Sequence, residues 1–376
     1  MYEQIREDTL FVFFYGGVTV MALMAGCYLL LRRANGIAPD VTPPVRLRRW
    51  TAAFFAAMTL SHLWYMPMLF RPTTEEMMQD FHVGALLDCM ILLPLAAVAP
   101  VAMLQDRRRP LWPVAVVFAP LIVGMAWVAA SHNDALMPKL RVYILLLGIG
   151  LLIYMVRALR QYDRWLRDNY ADLEHKEVWQ SMVVLAVMLL VMGFYSFAIT
   201  DMASQYVLQI NEVMLVGYLL WRAETLSDLG TQQAETQTVA EDDLPTIETG
   251  ATEDTTESYA LPLSLRDKIR AKLKLHCEDG QLYLQHEVTA TQLATEIGIN
   301  RSYLSRYFSS QGTTYNAYIN GLRIQHFVRL YHEAAAPISV KQLAHESGFR
   351  SYSTFYAAFK QSMGMTATEW MRASEL

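Results

Sequence analysis

Long apolar runs dominate the first 222 residues and cease after them. They fall at about 10–31, 50–70, 83–104, 111–130, 140–157, 178–199 and 204–221. A hydrocarbon core of about 30 Å is crossed by roughly 20 apolar residues in a helix, so the pattern predicts seven transmembrane helices. Asn211 and Glu212 interrupt the last run, which is the weakest of the seven. After residue 260 the apolar residues come instead as pairs four apart, Leu304 with Phe308 and Phe355 with Phe359, the spacing of helices that pack one face on a small core. The predicted fold class is all-α, with a multi-pass helix bundle over 1–222, a linker over 223–259 and a soluble helical domain over 260–376.

The soluble part contains one pattern written twice at an offset of 50, from Thr289 to Ile299 and from Ser339 to Phe349. Each copy opens with Thr or Ser followed three residues later by Gln292 or Gln342, the signature of a capping box. Each continues with a Leu-Ala pair, Leu293-Ala294 and Leu343-Ala344, and ends on Gly298 or Gly348, where a tight turn calls for positive φ. A second short helix follows each glycine, about 301–311 and 351–362. Helix, glycine turn and helix make the helix-turn-helix plan, whose second helix enters the DNA major groove.

Leu293-Ala294, Gly298, Leu304, Phe308, Gly312, Tyr318, Leu322-Arg323-Ile324, Ile338, Leu343-Ala344, Gly348-Phe349, Phe355, Phe359-Lys360 and Gly364 resemble the AraC-type transcription factors over about 264–373. The resemblance implies two helix-turn-helix units joined by a long linker helix at about 314–334. The chain departs from the family at Ala367, where Pro is usual, and at Phe327, where a small Ala is usual. The stretch from Phe308 to Gly312 is also one residue shorter than usual, and all three read as local repacking.

In the first unit Asn300 or Arg301 starts the recognition helix, Arg301 is expected among the DNA contacts, and Ser302, Ser305 and Arg306 share the outward face. The resemblance makes these the base-reading positions, and an Arg can bond guanine O6 and N7 together. In the second unit Tyr352, Ser353, Tyr356 and Ala357 fall outward without an Arg, suited to phosphate or thymine-methyl contacts. Arg350 and Lys360 are placed as phosphate contacts. Arg323 sits in a core motif and reads as structural, while Lys268, Arg270, Lys272 and Lys274 face phosphate, lipid headgroups or solvent.

Charge refines this division. Thirteen Lys and Arg meet nine Asp and Glu from residue 260 onward, whereas Ala223 to Tyr259 holds ten acids and no Lys or Arg. A segment of that composition buries too little apolar surface to order itself, so it reads as a disordered tether. With the N-terminus outside, the inside loops carry thirteen positive charges, including Arg107–Arg109 and Arg157 to Lys176, and the outside segments carry four. That bias sets the N-terminus outside and the C-terminal domain in the cytoplasm of a bacterial inner membrane. Glu3, Glu7 and Asp8 before the first run, with Arg32-Arg33 after it, give the wrong charge order for a cleaved signal.

His62, Asp88, Asn211 and Glu212 lie at membrane depth, where polar groups normally face the bundle interior. They form either a membrane signal site or interhelical hydrogen bonds. The sequence shows no enzyme signature and no metal-ligand spacing, and Cys27, Cys89 and Cys277 are scattered, so no catalytic residue, metal or cofactor is expected. The reading is a membrane-anchored, sequence-specific transcription regulator that couples a membrane or envelope signal to promoter binding. The expected partners are double-stranded DNA, membrane lipids, RNA polymerase, a second copy of the chain and an unidentified small-molecule or envelope signal. The competing readings are a transporter or membrane enzyme with an appended DNA-binding domain, and a passive anchor.

Overall fold

The computed structural model describes residues 8–71, 73–198, 202–229, 261–333 and 339–374. Most of the acidic linker, 230–260, lies outside the described residues. The chain divides into two compact units, Met1–Tyr162 with Val178–Leu229, and Asp163–Glu177 with Gly230–Leu376.

The first unit contains α1 (Thr9–Leu31), α2 (Val45–Tyr65), α3 (Thr74–Leu87), α4 (Leu93–Ala102), α5 (Trp112–Ser131), α6 (Met137–Arg167, whose end from Asp163 belongs to the second unit), α7 (Trp179–Ala198) and α8 (Met202–Thr225). Every apolar run of the sequence is thus helical. Among the described residues, however, four spans rather than seven are long and apolar enough to cross a membrane: Thr9–Leu31, Glu75–Ala102, Trp112–Ser131 and Asp134–Arg167. Two of the other three runs carry polar interruptions: Arg46, Arg48 and Arg49 open α2, and Gln209, Asn211 and Glu212 break α8. The third, α7, is a 20-residue helix with its apolar stretch over Trp179–Val191. Leu145, Leu146, Ile149 and Leu152 of α6 are exposed, the surface a membrane-associated region presents to hydrocarbon.

Small residues set the close packing within this unit. A Cβ added at Gly26 of α1 would meet Phe55 Cβ of α2 at 3.4 Å. Between α3 and α4 the ladder widens over Asp88–Leu92, where the Leu93 N–H bonds to the Asp88 carbonyl, five residues back. Pro94 follows and has no N–H of its own, so the ladder could not continue regularly through it. At the other end, α8 reaches past Trp221 to Thr225, and Glu224 is fully buried with its Oε1 2.8 Å from Arg32 Nε. The packed chain therefore extends into the start of the stretch assigned to the tether.

The second unit contains α9 (Leu263–Lys272), α10 (Ala290–Glu296), α11 (Arg301–Ser310), α12 (Tyr315–Glu333), α13 (Val340–Glu346), α14 (Tyr352–Met363) and α15 (Ala367–Ser374). Its core has two clusters, one around Leu293, Leu304, Phe308 and Ile319, the other around Phe327, Phe349, Phe355 and Phe359. The linker helix α12 contributes to both, Ile319 to the first and Phe327 to the second. Phe327 stands 4.7 Å from the Phe355 ring and 5.6 Å from the Phe359 ring, so aromatic packing fills the space beside its helix. Ala367 is buried and opens α15, the first-turn position that a proline would also suit.

Candidate nucleic-acid interface

The turns that place the recognition helices follow the sequence pattern closely. Thr289 and Gln292 form the full reciprocal capping box on α10. The second box is only half made. Ser339 Oγ accepts from the Gln342 N–H, but the Gln342 side chain turns away and donates to Glu346 Oε1 at 2.9 Å. Gly298 and Gly348 both have positive φ, +62° and +89°. At Gly348 a side chain is doubly excluded, because a Cβ would lie 2.8 Å from Leu284 Cα. Lys272 Nζ donates to the Ile297 carbonyl at 2.6 Å, which assigns this lysine to closing α10 rather than to solvent or phosphate.

Asn300 caps α11 by accepting from the Ser302 N–H, and Leu304 and Phe308 turn inward. Ser302 and Arg306 are exposed and Ser305 is half-buried, so the expected reading face is turned outward. Arg301 is different. It is partly buried with its Nε enclosed, and burial holds its pKa below the usual guanidinium range while Tyr170 and Asp168 pull it back up. On α14, Phe355 and Phe359 are inward, and Tyr352, Ser353, Tyr356, Ala357 and Lys360 are exposed. Arg350 is exposed and pairs with Glu287. Arg323 is fully buried and donates to the Tyr283 and Gln285 carbonyls, each at 2.7 Å, which makes it structural.

A contact absent from the sequence reading lies on this face. Residues 168–177, the connection between α6 and α7, pack into the second unit. Tyr170 bridges antiparallel to Thr289, and the Ala290 N–H donates to the Asn169 carbonyl at 3.0 Å. Asn316 Nδ2 donates to the Tyr170 and Ala171 carbonyls at 3.1 and 2.8 Å, and Asn320 Nδ2 donates to Ala171 at 3.0 Å. At the start of α14, Thr354 Oγ1 donates to Asp172 Oδ1 at 2.8 Å and Ser353 Oγ donates to Glu174 Oε1 at 3.1 Å. Lys176 Nζ sits 5.5 Å from the Tyr170 ring centre, and burial pushes its pKa down. Asn316 and Asn320, four apart on the buried side of α12, were the available signal. Two buried amides need partners, and no local backbone supplies them.

In the first unit the structure brings together three of the four polar residues singled out at membrane depth. His62 Nε2 lies 3.1 Å from Glu212 Oε2 and its Nδ1 lies 2.9 Å from the Met58 carbonyl. Asp88 accepts from Ser61 Oγ and Tyr65 Oη of the same helix, both at 2.8 Å. Tyr15 donates to the His62 carbonyl at 2.9 Å. Asn211 stands apart and donates to the Met188 carbonyl of α7 at 3.3 Å. Among the described residues no group of His, Cys, Asp and Glu is arranged to hold a metal ion.

Residues 293–373 match the family described as Helix-turn-helix domain. The chain is 30% identical over 91 residues to the HTH-type transcriptional regulator GadX of Escherichia coli, which is 24% of this chain and 32% of that one. It is 32% identical over 76 residues to the TCP pilus virulence regulatory protein of Vibrio cholerae, 20% of this chain and 27% of that one. The match thus spans about a third or less of the length of these curated relatives. No solved structure matches. Together with the paired turns described above, these matches support an AraC-type helix-turn-helix domain over 293–373.

Proposed function

We propose that the chain is a transcription regulator that binds double-stranded promoter DNA through its two recognition helices while held in the bacterial inner membrane by its first unit. The observation that carries the reading is a pair of glycine-turned recognition helices with polar outward faces, on the same polypeptide as four helices of membrane-spanning length. Arg306, Ser302 and Ser305 are the base readers, and Tyr352, Ser353, Tyr356, Ala357, Arg350 and Lys360 position the duplex through its backbone and methyl groups. With all seven apolar runs crossing, α2, α7 and α8 included, the loop charges place the N-terminus outside and the DNA-binding domain inside. Residues 230–257 act as an acidic tether between the two.

The His62–Glu212 pair with Asp88 is the signal-receiving site in this proposal, since an ionisable cluster at membrane depth is costly unless it has a use. Mapping bound DNA across the genome in intact cells, with and without the full-length protein, tests the regulatory reading. Discrete promoter peaks that vanish with the protein are expected, and an unchanged map sinks the reading. Reporter fusions after Glu76 and after Arg167 should report periplasm and cytoplasm, and the reverse at either point overturns the topology. Single substitution of His62, Asp88 or Glu212 separates signal receiver from passive anchor, because an anchor tolerates all three with transcription unchanged.

A further inference from the structure

We propose that the 168–177 loop is an internal stand-in for the DNA backbone, which must leave the second recognition helix before that helix can seat on a duplex. The proposal rests on the DNA-binding reading above. Its ground is what the loop offers and where. Asp172 and Glu174 place carboxylate oxygens on Thr354 and Ser353, the third and second residues of α14 after its cap at Ser351. A helix N-terminus with free hydroxyls beside it is a natural phosphate seat, and a carboxylate satisfies the same donors. Ser353 cannot donate one proton both to Glu174 and to a phosphate.

The attachment is specific rather than incidental. The loop is held from behind by Asn316 and Asn320, uncharged residues on the linker helix that the proposed DNA contacts do not include. It also reaches the first unit of the pair through Ala290 and Thr289. Docked, it therefore touches both helix-turn-helix units and the helix that joins them. The loop is the covalent connection between α6 and α7, so a change in the separation of those helix ends acts directly on it. The device couples the two halves of the chain through this loop, in addition to the acidic tether.

The test uses full-length protein in nanodiscs and a random-sequence 40-base-pair duplex, with binding followed by fluorescence anisotropy across a salt series. Asn316→Ala with Asn320→Ala releases the loop without altering any charge, and binding about tenfold tighter than the parent is expected. Asp172→Ala with Glu174→Ala should do the same or more, since it also removes repulsion of phosphate. A disulfide between Glu174→Cys and Ser353→Cys, with Cys27, Cys89 and Cys277 changed to Ser, should weaken binding when oxidised and restore it when reduced. Hydrogen exchange should show 168–177 losing protection as duplex is added. Asparagine variants that melt like the parent yet bind no tighter overturn the clamp, as does a loop that stays protected at saturating duplex. If neither the parent nor any released form binds duplex, the DNA-binding reading falls and the clamp with it.

Discussion

Leu293 and Leu343 hold matching places in the two helix-turn-helix copies, and both are fully buried. The copies keep this register through Gly298 and Gly348, then part company. The first recognition helix is capped by Asn300 and the second by Ser351, so the second copy spends one more residue in its turn. Counted from the caps, Ser302 matches Ser353, Ser305 matches Tyr356, and Arg306 matches Ala357. The frame has been kept and the outward chemistry changed. Packing constrains the inward positions to apolar residues of a given size, while nothing in the frame dictates what the outward positions carry. One copy therefore carries a guanidinium on its outward face, and the other carries hydroxyls, of which the loop already takes that of Ser353.

The largest expected effect breaks the frame itself. Phe355→Ala removes a ring that touches Phe327, Phe349 and Phe359, and should cost about 3–5 kcal/mol, read as loss of the second core in a denaturant melt. A second unit that melts as before would show that the ring is not central to it. Gly348→Ala should cost about 3 kcal/mol, from positive φ together with the close approach to Leu284. Gly298→Ala meets only Lys272 Nζ, at an ordinary contact distance of 3.4 Å, and should cost about 1 kcal/mol. Equal losses at the two glycines would contradict the difference drawn between the turns.

Arg306→Ala should lower affinity for a specific site by about ten- to a hundredfold and barely change binding to scrambled DNA, whereas Arg350→Ala should weaken both alike and flatten the salt dependence by about one phosphate. Equal weakening of both DNAs by Arg306→Ala would make that residue a phosphate clamp. The smallest expected effect is at the caps. Gln292→Ala breaks a reciprocal capping box and should cost about 0.5–1 kcal/mol, while Gln342→Ala, whose side chain caps nothing, should cost less than half of that. Thermal melts of the two variants side by side decide it.

Both helix-turn-helix units were legible because local chemistry fixes them: caps, a glycine and apolar pairs four apart. Arg323 was legible as structural for the same reason, since a charge among core positions needs buried acceptors. The number of membrane-length helices was less so, because α2 and α8 mix spanning length with arginines or amides and the two properties point opposite ways. The half-made second capping box shows the limit of a motif, since Gln342 had Glu346 one turn away as a competing partner. The docked loop could not be read along the chain, because Asp172 and Thr354 meet only in the fold. Of the membrane-depth residues, His62 and Glu212 converge because their helices pack, and Asn211, one residue from Glu212, faces α7 because helical rotation turns it away.

Arg323 has a consequence for the shape of any operator. It stands on the helix shared by both cores and grips the carbonyls of Tyr283 and Gln285, of which Tyr283 belongs to the first core. It also lies 5.6 Å from the ring centre of Phe349 in the second. Two reading heads fastened in this way act as a ruler with one fixed division. Duplex DNA repeats about every 10–10.5 base pairs. A flexible pair of heads would tolerate an insertion of one whole turn between its half-sites. A ruler does not, because restoring the rotational phase leaves the length wrong. Half-turn and whole-turn insertions should therefore be equally disabling, and every natural target should show the same interval between its two half-sites.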